Sequence, residues 1–169
     1  MIEIGATAAT INEPIEHLMA CHRRIEQRLE TLVRAADHLA VNREQALAAI
    51  TASIQFLDSS GVLHTRDEED SLFPRLRPRL SAAELAFVDS LEAQHTEADS
   101  VYAELKTLAG QSDVGQFDAD GYRACAERLR SIYRDHIRAE DENLTKIARS
   151  LLNDQELLEI SQEMRARRK

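Results

Sequence analysis

The sequence predicts an all-α protein, an up-down four-helix bundle with a short additional C-terminal helix. Three observations carry that expectation. Glycine (5) and proline (3) are scarce among 169 residues otherwise rich in Ala, Leu, Glu and Arg. Apolar residues recur at alternating intervals of three and four, the period of a helix with one buried face. Helix-capping signals separate the periodic stretches, and the short connections between them make neighbouring helices antiparallel.

Asn12 ahead of Glu13-Pro14 reads as an N-cap followed by an early-turn proline, opening a first helix that ends near Leu39. Its seam runs through Ile15, Leu18, Ile25, Leu29 and Leu32, with His22 where an apolar residue is due. Asn42 caps the second, whose seam passes Leu47, Ile50, Ile54 and Leu57 and then turns non-apolar at Gly61, His64 and Glu68. Phe73-Pro74 and Pro78 are expected to end it, because proline lacks a donor and disfavours helix in the preceding residue. Ser81-x-x-Glu84 is a capping box opening the third helix, with Leu85, Val88, Leu91, His95, Ala98, Tyr102 and Leu105 on its seam. "AGQSDVGQFD" reads as a loop, with Asp118 or Asp120 capping a fourth helix along Ala126, Leu129, Tyr133, His136, Glu140, Asn143 and Ile147. Asn153-x-x-Glu156 starts the terminal helix. The whole reads as one domain, 1–169, with the bundle at about 12–151 and the last helix at about 154–167.

Four histidines therefore occupy core seams, one per long helix. In an antiparallel hairpin two residues share a level when the turn lies at their midpoint, since each residue rises by ~1.5 Å. The midpoints are 43 for His22 and His64, 79.5 for His64 and His95, and 115.5 for His95 and His136, and each falls in an expected turn. Glu68 and Glu140 follow their histidines by four residues, on the same face one turn along. An internal duplication supports this layout: His22 to His95 is 73 residues and His64 to His136 is 72. Four imidazoles and two carboxylates brought together in a core cost several kcal/mol per uncompensated charge, and a cation offsets that cost. Imidazole suits iron, zinc and copper, and a carboxylate can bridge two ions, so this set can hold two metals and leave positions open to outside ligands.

With its two echoing stretches "HTRDEEDSL" and "HIRAEDENL", preceded by His22 and His95 respectively, the sequence resembles the bacterial haemerythrin-like (HHE cation-binding) proteins over about residues 12–167. The resemblance implies a four-helix bundle around a non-haem di-iron centre that binds O2, NO or peroxide. Its terminal ligands would be His22, His64, His95 and His136, with Glu68 and Glu140 as bridges. The implied cofactor is two iron ions (Fe2+/Fe3+) with room for an oxo or hydroxo bridge, zinc or manganese being the alternatives. The oxygen carriers of marine invertebrates have a second histidine one turn after the first on the third helix. Asp99 stands there in this sequence, so reversible oxygen carriage is not carried over.

Asp99, Glu26, Tyr102 and Tyr133 are candidates for a further ligand or for a hydrogen bond to the centre. Gly61, one turn before His64, clears space either for a bound diatomic or for close helix approach. His17 and His38 are expected at the surface, and Glu69, Asp70, Asp141 and Glu142 on a solvated face. Cys21 and Cys125 read as packing residues. The basic end "RARRK" reads as charge that favours a helix C-terminus.

Three functions remain open on these residues: a di-iron protein that binds or senses O2, NO or peroxide, a di-iron oxidase, peroxidase-like or NO-consuming enzyme, and an iron or zinc sequestering module. A net charge of −9 argues against nucleic acid as a partner. Without a basic leader or a run of 18 apolar residues, the expectation is a cytoplasmic protein with no membrane partner. Catalytic residues and oligomeric state are not specified by the sequence.

Overall fold

A computed structural model describes residues 13–111 and 117–169, and these form five helices and no strand. Helix α1 is Pro14–His38, α2 is Arg43–Arg79, α3 is Ala82–Gly110, α4 runs over 119–151 and α5 is Asp154–Ala166. The first four form the bundle, with α1 against α2 and α4, and α3 against α4, while α5 packs on α1 and the second half of α2.

Local chemistry sets the helix starts. The expected cap Asn12 lies outside the described residues; Glu13 stands in the cap position, its carboxylate accepting from the amides of Ile15 and Glu16. Asn42 accepts from the Gln45 amide and Asp118 from that of Gly121. Ser81–Glu84 and Asn153–Glu156 are complete capping boxes. Caps of this kind contribute about 1 kcal/mol each.

The expected end of the second helix is right at Pro78 and wrong at Phe73-Pro74. Helix α2 does not stop at Phe73-Pro74 but continues through Leu76 and closes in a 3-10 turn at Arg77–Arg79. The reason lies just upstream, where Glu68–Leu72 is a π turn and the Phe73 amide reaches back to the Glu68 carbonyl. A π turn holds one residue more than an α turn and is wider. The carbonyl that an α turn would aim at the Pro74 ring is displaced, and Phe73 keeps αR geometry ahead of the proline.

A second π turn, Glu140–Leu144, occupies the same place in α4, and a third, Leu57–Gly61, precedes His64 in α2. The extra residue in α4 moves its seam by one. Leu144 and Ala148 are buried where strict periodicity expected Asn143 and Ile147.

Two apolar clusters fill the bundle. One joins Ile25, Leu29, Leu32, Ile50, Leu57, Leu105 and Leu129; the other joins Ile15, Leu18, Leu72, Phe73, Leu76, Leu91, Leu144, Ile160 and Met164. Each fully buried side chain of this size contributes ~1.5–3 kcal/mol. Between the clusters lies a polar layer, with His22, His64, Glu68, His95, His136 and Glu140 all at most 5 % exposed. By length and composition alone α2 would also pass for a membrane-crossing helix. It nevertheless carries Asp67 and Glu68 fully buried among polar groups of the bundle.

Candidate metal centre

Each long helix delivers one imidazole to the polar layer, and all four turn Nε2 inward. His64 Nε2 is 3.2 Å from Glu68 Oε1 and His136 Nε2 is 3.1 Å from Glu140 Oε2, both pairs being i, i+4 within a helix. His22 Nε2 lies between the two carboxylates, 3.1 Å from Glu140 and 3.6 Å from Glu68. His95 Nε2 is 3.4 Å from Glu68 Oε2 and 3.0 Å from His136 Nε2. Close as these contacts are, both oxygens of Glu68, both of Glu140 and His22 Nε2 are buried without an aligned hydrogen bond.

The donor atoms fall into two groups, each spanning no more than 4.8 Å: His22, His64, Glu68 and Glu140, and Glu68, His95, His136 and Glu140. Both carboxylates belong to both groups. Buried, unaligned carboxylate oxygens flanked by imidazole nitrogens are a donor set that fits two cations sharing two carboxylates. Strong mutual attraction marks the cluster electrostatically. Burial pushes the His22 imidazole down, but the Glu140 and Glu68 carboxylates outweigh it and raise it to about 11. Against the same effect of burial, Glu68 and then Glu69 hold His95 at about 9. Glu68, despite complete burial, is held well below the usual carboxylate range by His64, His22 and His95.

The outward ring nitrogens are held as well, in a way that the sequence did not foretell. His22 Nδ1 meets Asp141 Oδ1 at 2.8 Å, His95 Nδ1 meets Glu69 Oε1 at 2.8 Å, and His136 Nδ1 meets Gln94 Oε1 at 2.9 Å. With Nε2 facing the carboxylates, each Nδ1–H donates outward, which fixes tautomer and ring orientation. Glu69 and Asp141 are therefore half-buried and turned towards the imidazoles at the rim of the solvated face, whereas Asp70 and Glu142 are exposed. The π turns explain the difference. They begin at Glu68 and Glu140, and their wider winding keeps the following residue near the bundle interior. The available signal was the acidic residue directly after each seam glutamate, in both stretches.

The fourth outward nitrogen, His64 Nδ1, is buried with no hydrogen-bond partner among the described residues. The Cys21 thiol lies against this imidazole. Burial pushes the thiol up, and His64 more than offsets this, leaving it below its ordinary value. Cys21 and Cys125 are both free and buried. Cys125 instead donates its thiol to the Val101 carbonyl at 3.4 Å.

Of the remaining candidates, Tyr133 comes nearest. It lies edge-on to His136 at 6.4 Å between ring centroids, and burial, Asp99 and Glu68 raise its phenol. Tyr102 turns away, its hydroxyl 3.1 Å from the Ile54 carbonyl and 3.0 Å from Asp58. Glu26 is exposed on a surface groove with Arg23 and Arg130. Asp99 is also exposed, but it lines a cavity of about 30 Å3 with Gly61, Tyr102 and Tyr133. A Cβ on Gly61 would make only ordinary contacts with Leu57, 3.6–3.7 Å away, so glycine is not required there for close helix approach.

Two surface expectations also need correction. His38 is exposed, but His17 is half-buried and its Nε2 is sealed without a partner among the described residues. The basic end does more than favour a helix terminus. Arg167 Nη1 and Arg168 Nη2 bind Asp67 at 2.9 and 2.5 Å, and Asp67 is completely buried beside Glu68.

A four-helix bundle with histidines and shared carboxylates at one level defines a class of protein built to hold metal cations within its core. More narrowly, the chain belongs to the haemerythrin family: the model of the hemerythrin HHE cation binding domain matches residues 13–148. A protein of Haemophilus influenzae described as uncharacterized is 29 % identical over 164 residues, which cover 95 % of this chain and 92 % of that protein.

Proposed function

We propose that this protein holds two iron ions and binds or senses a small ligand, O2, NO or peroxide. One observation carries the reading: Glu68 and Glu140 bring four buried oxygens, none in an aligned hydrogen bond, between two histidine pairs. His22 and His64 would hold one ion, His95 and His136 the other, and both carboxylates would be shared. Iron held there would supply open coordination positions for a small ligand and one-electron chemistry. Around it the chain's own groups orient the ligating rings through Asp141, Glu69 and Gln94, and the two apolar clusters exclude bulk water.

Ligand binding over plain sequestration is favoured by Tyr133, whose ring lies edge-on to His136 and also lines, with Gly61, a cavity of about 30 Å3, the scale of a water or a diatomic molecule; none of the six ligands lines that cavity. An oxidase, a peroxidase-like or an NO-consuming enzyme would use the same centre, and turnover is what separates it from a binding protein.

Metal analysis of the purified protein should find close to two iron per chain; folded protein with a count near zero would sink the assignment. Glu68→Ala and His136→Ala should abolish loading, and His38→Ala should not. Spectra of the reduced protein mixed with O2, NO or peroxide then separate a reversible adduct from sustained consumption.

A further inference from the structure

The two halves of the centre match residue for residue outside the ligands as well as among them. His22 and His95, 73 residues apart, donate from Nδ1 to Asp141 and Glu69, 72 residues apart. His136 donates to Gln94, the residue just before His95. By the same correspondence the partner of His64 is the residue just before His22, which is Cys21. Two facts meet there. Cys21 is 1 % exposed and lies against the His64 imidazole, and among the described residues His64 Nδ1 is the one of the four outward ring nitrogens left without a hydrogen bond.

We propose that Cys21 is the positioning partner of His64, accepting its Nδ1–H at sulphur where the other half of the centre uses the amide oxygen of Gln94. The consequence is that the two metal positions are unequal. Sulphur is a weak acceptor, so it orients the imidazole less firmly and lends it less basicity than an oxygen does. Both histidines of the His95–His136 position rest on oxygen acceptors, while the His22–His64 position has one oxygen and one sulphur. The ion between His22 and His64 is therefore the more weakly held of the two. The inference rests on the two-metal reading above.

Stepwise titration of the metal-free protein with Co2+, followed by calorimetry and by the visible bands of the bound ion, reads the two positions separately. The parent should take up two equivalents with affinities about tenfold apart. Cys21→Val keeps the side-chain volume and removes the acceptor; it should weaken the second equivalent by a further ~10-fold and leave the first unchanged. Cys21→Ser keeps an acceptor and should stay within about threefold of the parent, while Gln94→Ala should instead weaken the first equivalent, as loss of an orienting partner does. Proton spectra of the Co2+ form add a readout that packing alone would not move. The exchangeable Nδ1–H signal of His64 should shift or vanish in Cys21→Val, with those of the other three histidines unchanged. Equal binding of both ions in Cys21→Val and parent, or equal weakening of both, overturns the inference while the two-metal reading survives. A parent that takes up no Co2+ overturns both.

Discussion

The stretches 64–72 and 136–144 share the pattern H-x-R-x-E-[ED]-[DE]-x-L and fold alike, each an α-helical turn passing into a π turn at its glutamate. Their outer surroundings differ. The first is roofed by α5, and its Asp67 and Ser71 are buried under Arg167, Arg168 and Glu163, with Ser71 donating to Glu163 at 2.5 Å. Among the described residues the second has no such cover: at the corresponding places stand Ala139 and the exposed Asn143. One motif thus supplies the same buried histidine and glutamate pair twice, while the charge placed beside its glutamate follows from whether a fifth helix lies on top.

The largest effect should come from breaking the roof on one side only. Asp67→Ala leaves two nearly buried guanidinium groups without their carboxylate, and breaking a buried pair from one side costs about 3–5 kcal/mol. Ala139→Ser, at the matching place in α4, should stay within ~0.5 kcal/mol. Denaturant unfolding of the metal-free proteins measures both, and an Asp67→Ala loss below about 1 kcal/mol would show that the arginines find other partners.

Next in size are the groups that hold the rings. Glu69→Ala and Asp141→Ala each remove one acceptor, from His95 and His22 respectively, and should lower metal affinity about 10–100-fold while the fold persists. Because the two are related by the duplication, their losses should be similar; a loss confined to one of them would show that the halves are less alike than their geometry.

Fold and the buried cluster of four histidines and two glutamates were legible for one physical reason: both depend on periodicity. A three-four seam reports which residues face inward, and turn midpoints report level, so His22, His64, Glu68, His95, His136 and Glu140 could be grouped without coordinates. What was not legible depends on breaks in that period. The π turns shift the seam by one residue, which hid Leu144 and Ala148 and misassigned Glu69 and Asp141. They also let α2 run past Pro74, against the usual meaning of that residue. Long-range ion pairs are equally silent in sequence, since nothing near Arg167 or Arg168 names Asp67, 100 and 101 residues away.

A smaller change sharpens the role of the roof itself. Asn153 caps α5 by accepting from the Glu156 amide at 3.0 Å, and Glu156 in turn binds Arg79 of α2. Asn153→Ala should cost about 1 kcal/mol. If α5 frays from that end alone, hydrogen exchange should quicken in its first turn and not at Met164, which is buried in the core. Faster exchange along all of α5 would mean that the helix docks and undocks as one unit.

The last difference between the two sides is a titration. His17 sits half-buried near Arg168 and Asp67, whereas Ser90, its counterpart by the 73-residue interval, is exposed and uncharged. Burial, and after it the Arg168 charge, lowers the His17 imidazole to about 4. The unfolded chain takes up its proton near 6.5, so between these values it binds more protons at this position than the folded protein does. Stability conferred by the neutral ring is therefore present above about 6.5 and lost progressively as the pH falls towards 4. His17→Gln should flatten the fall in melting temperature across that window, and Arg168→Met should move the His17 ring titration upward by removing one of the charges that lower it. A ring titrating near 6.5 in the parent would show that the Arg167–Arg168 end leaves His17 open to water, and would reduce the roof to its contacts with Asp67 and Ser71.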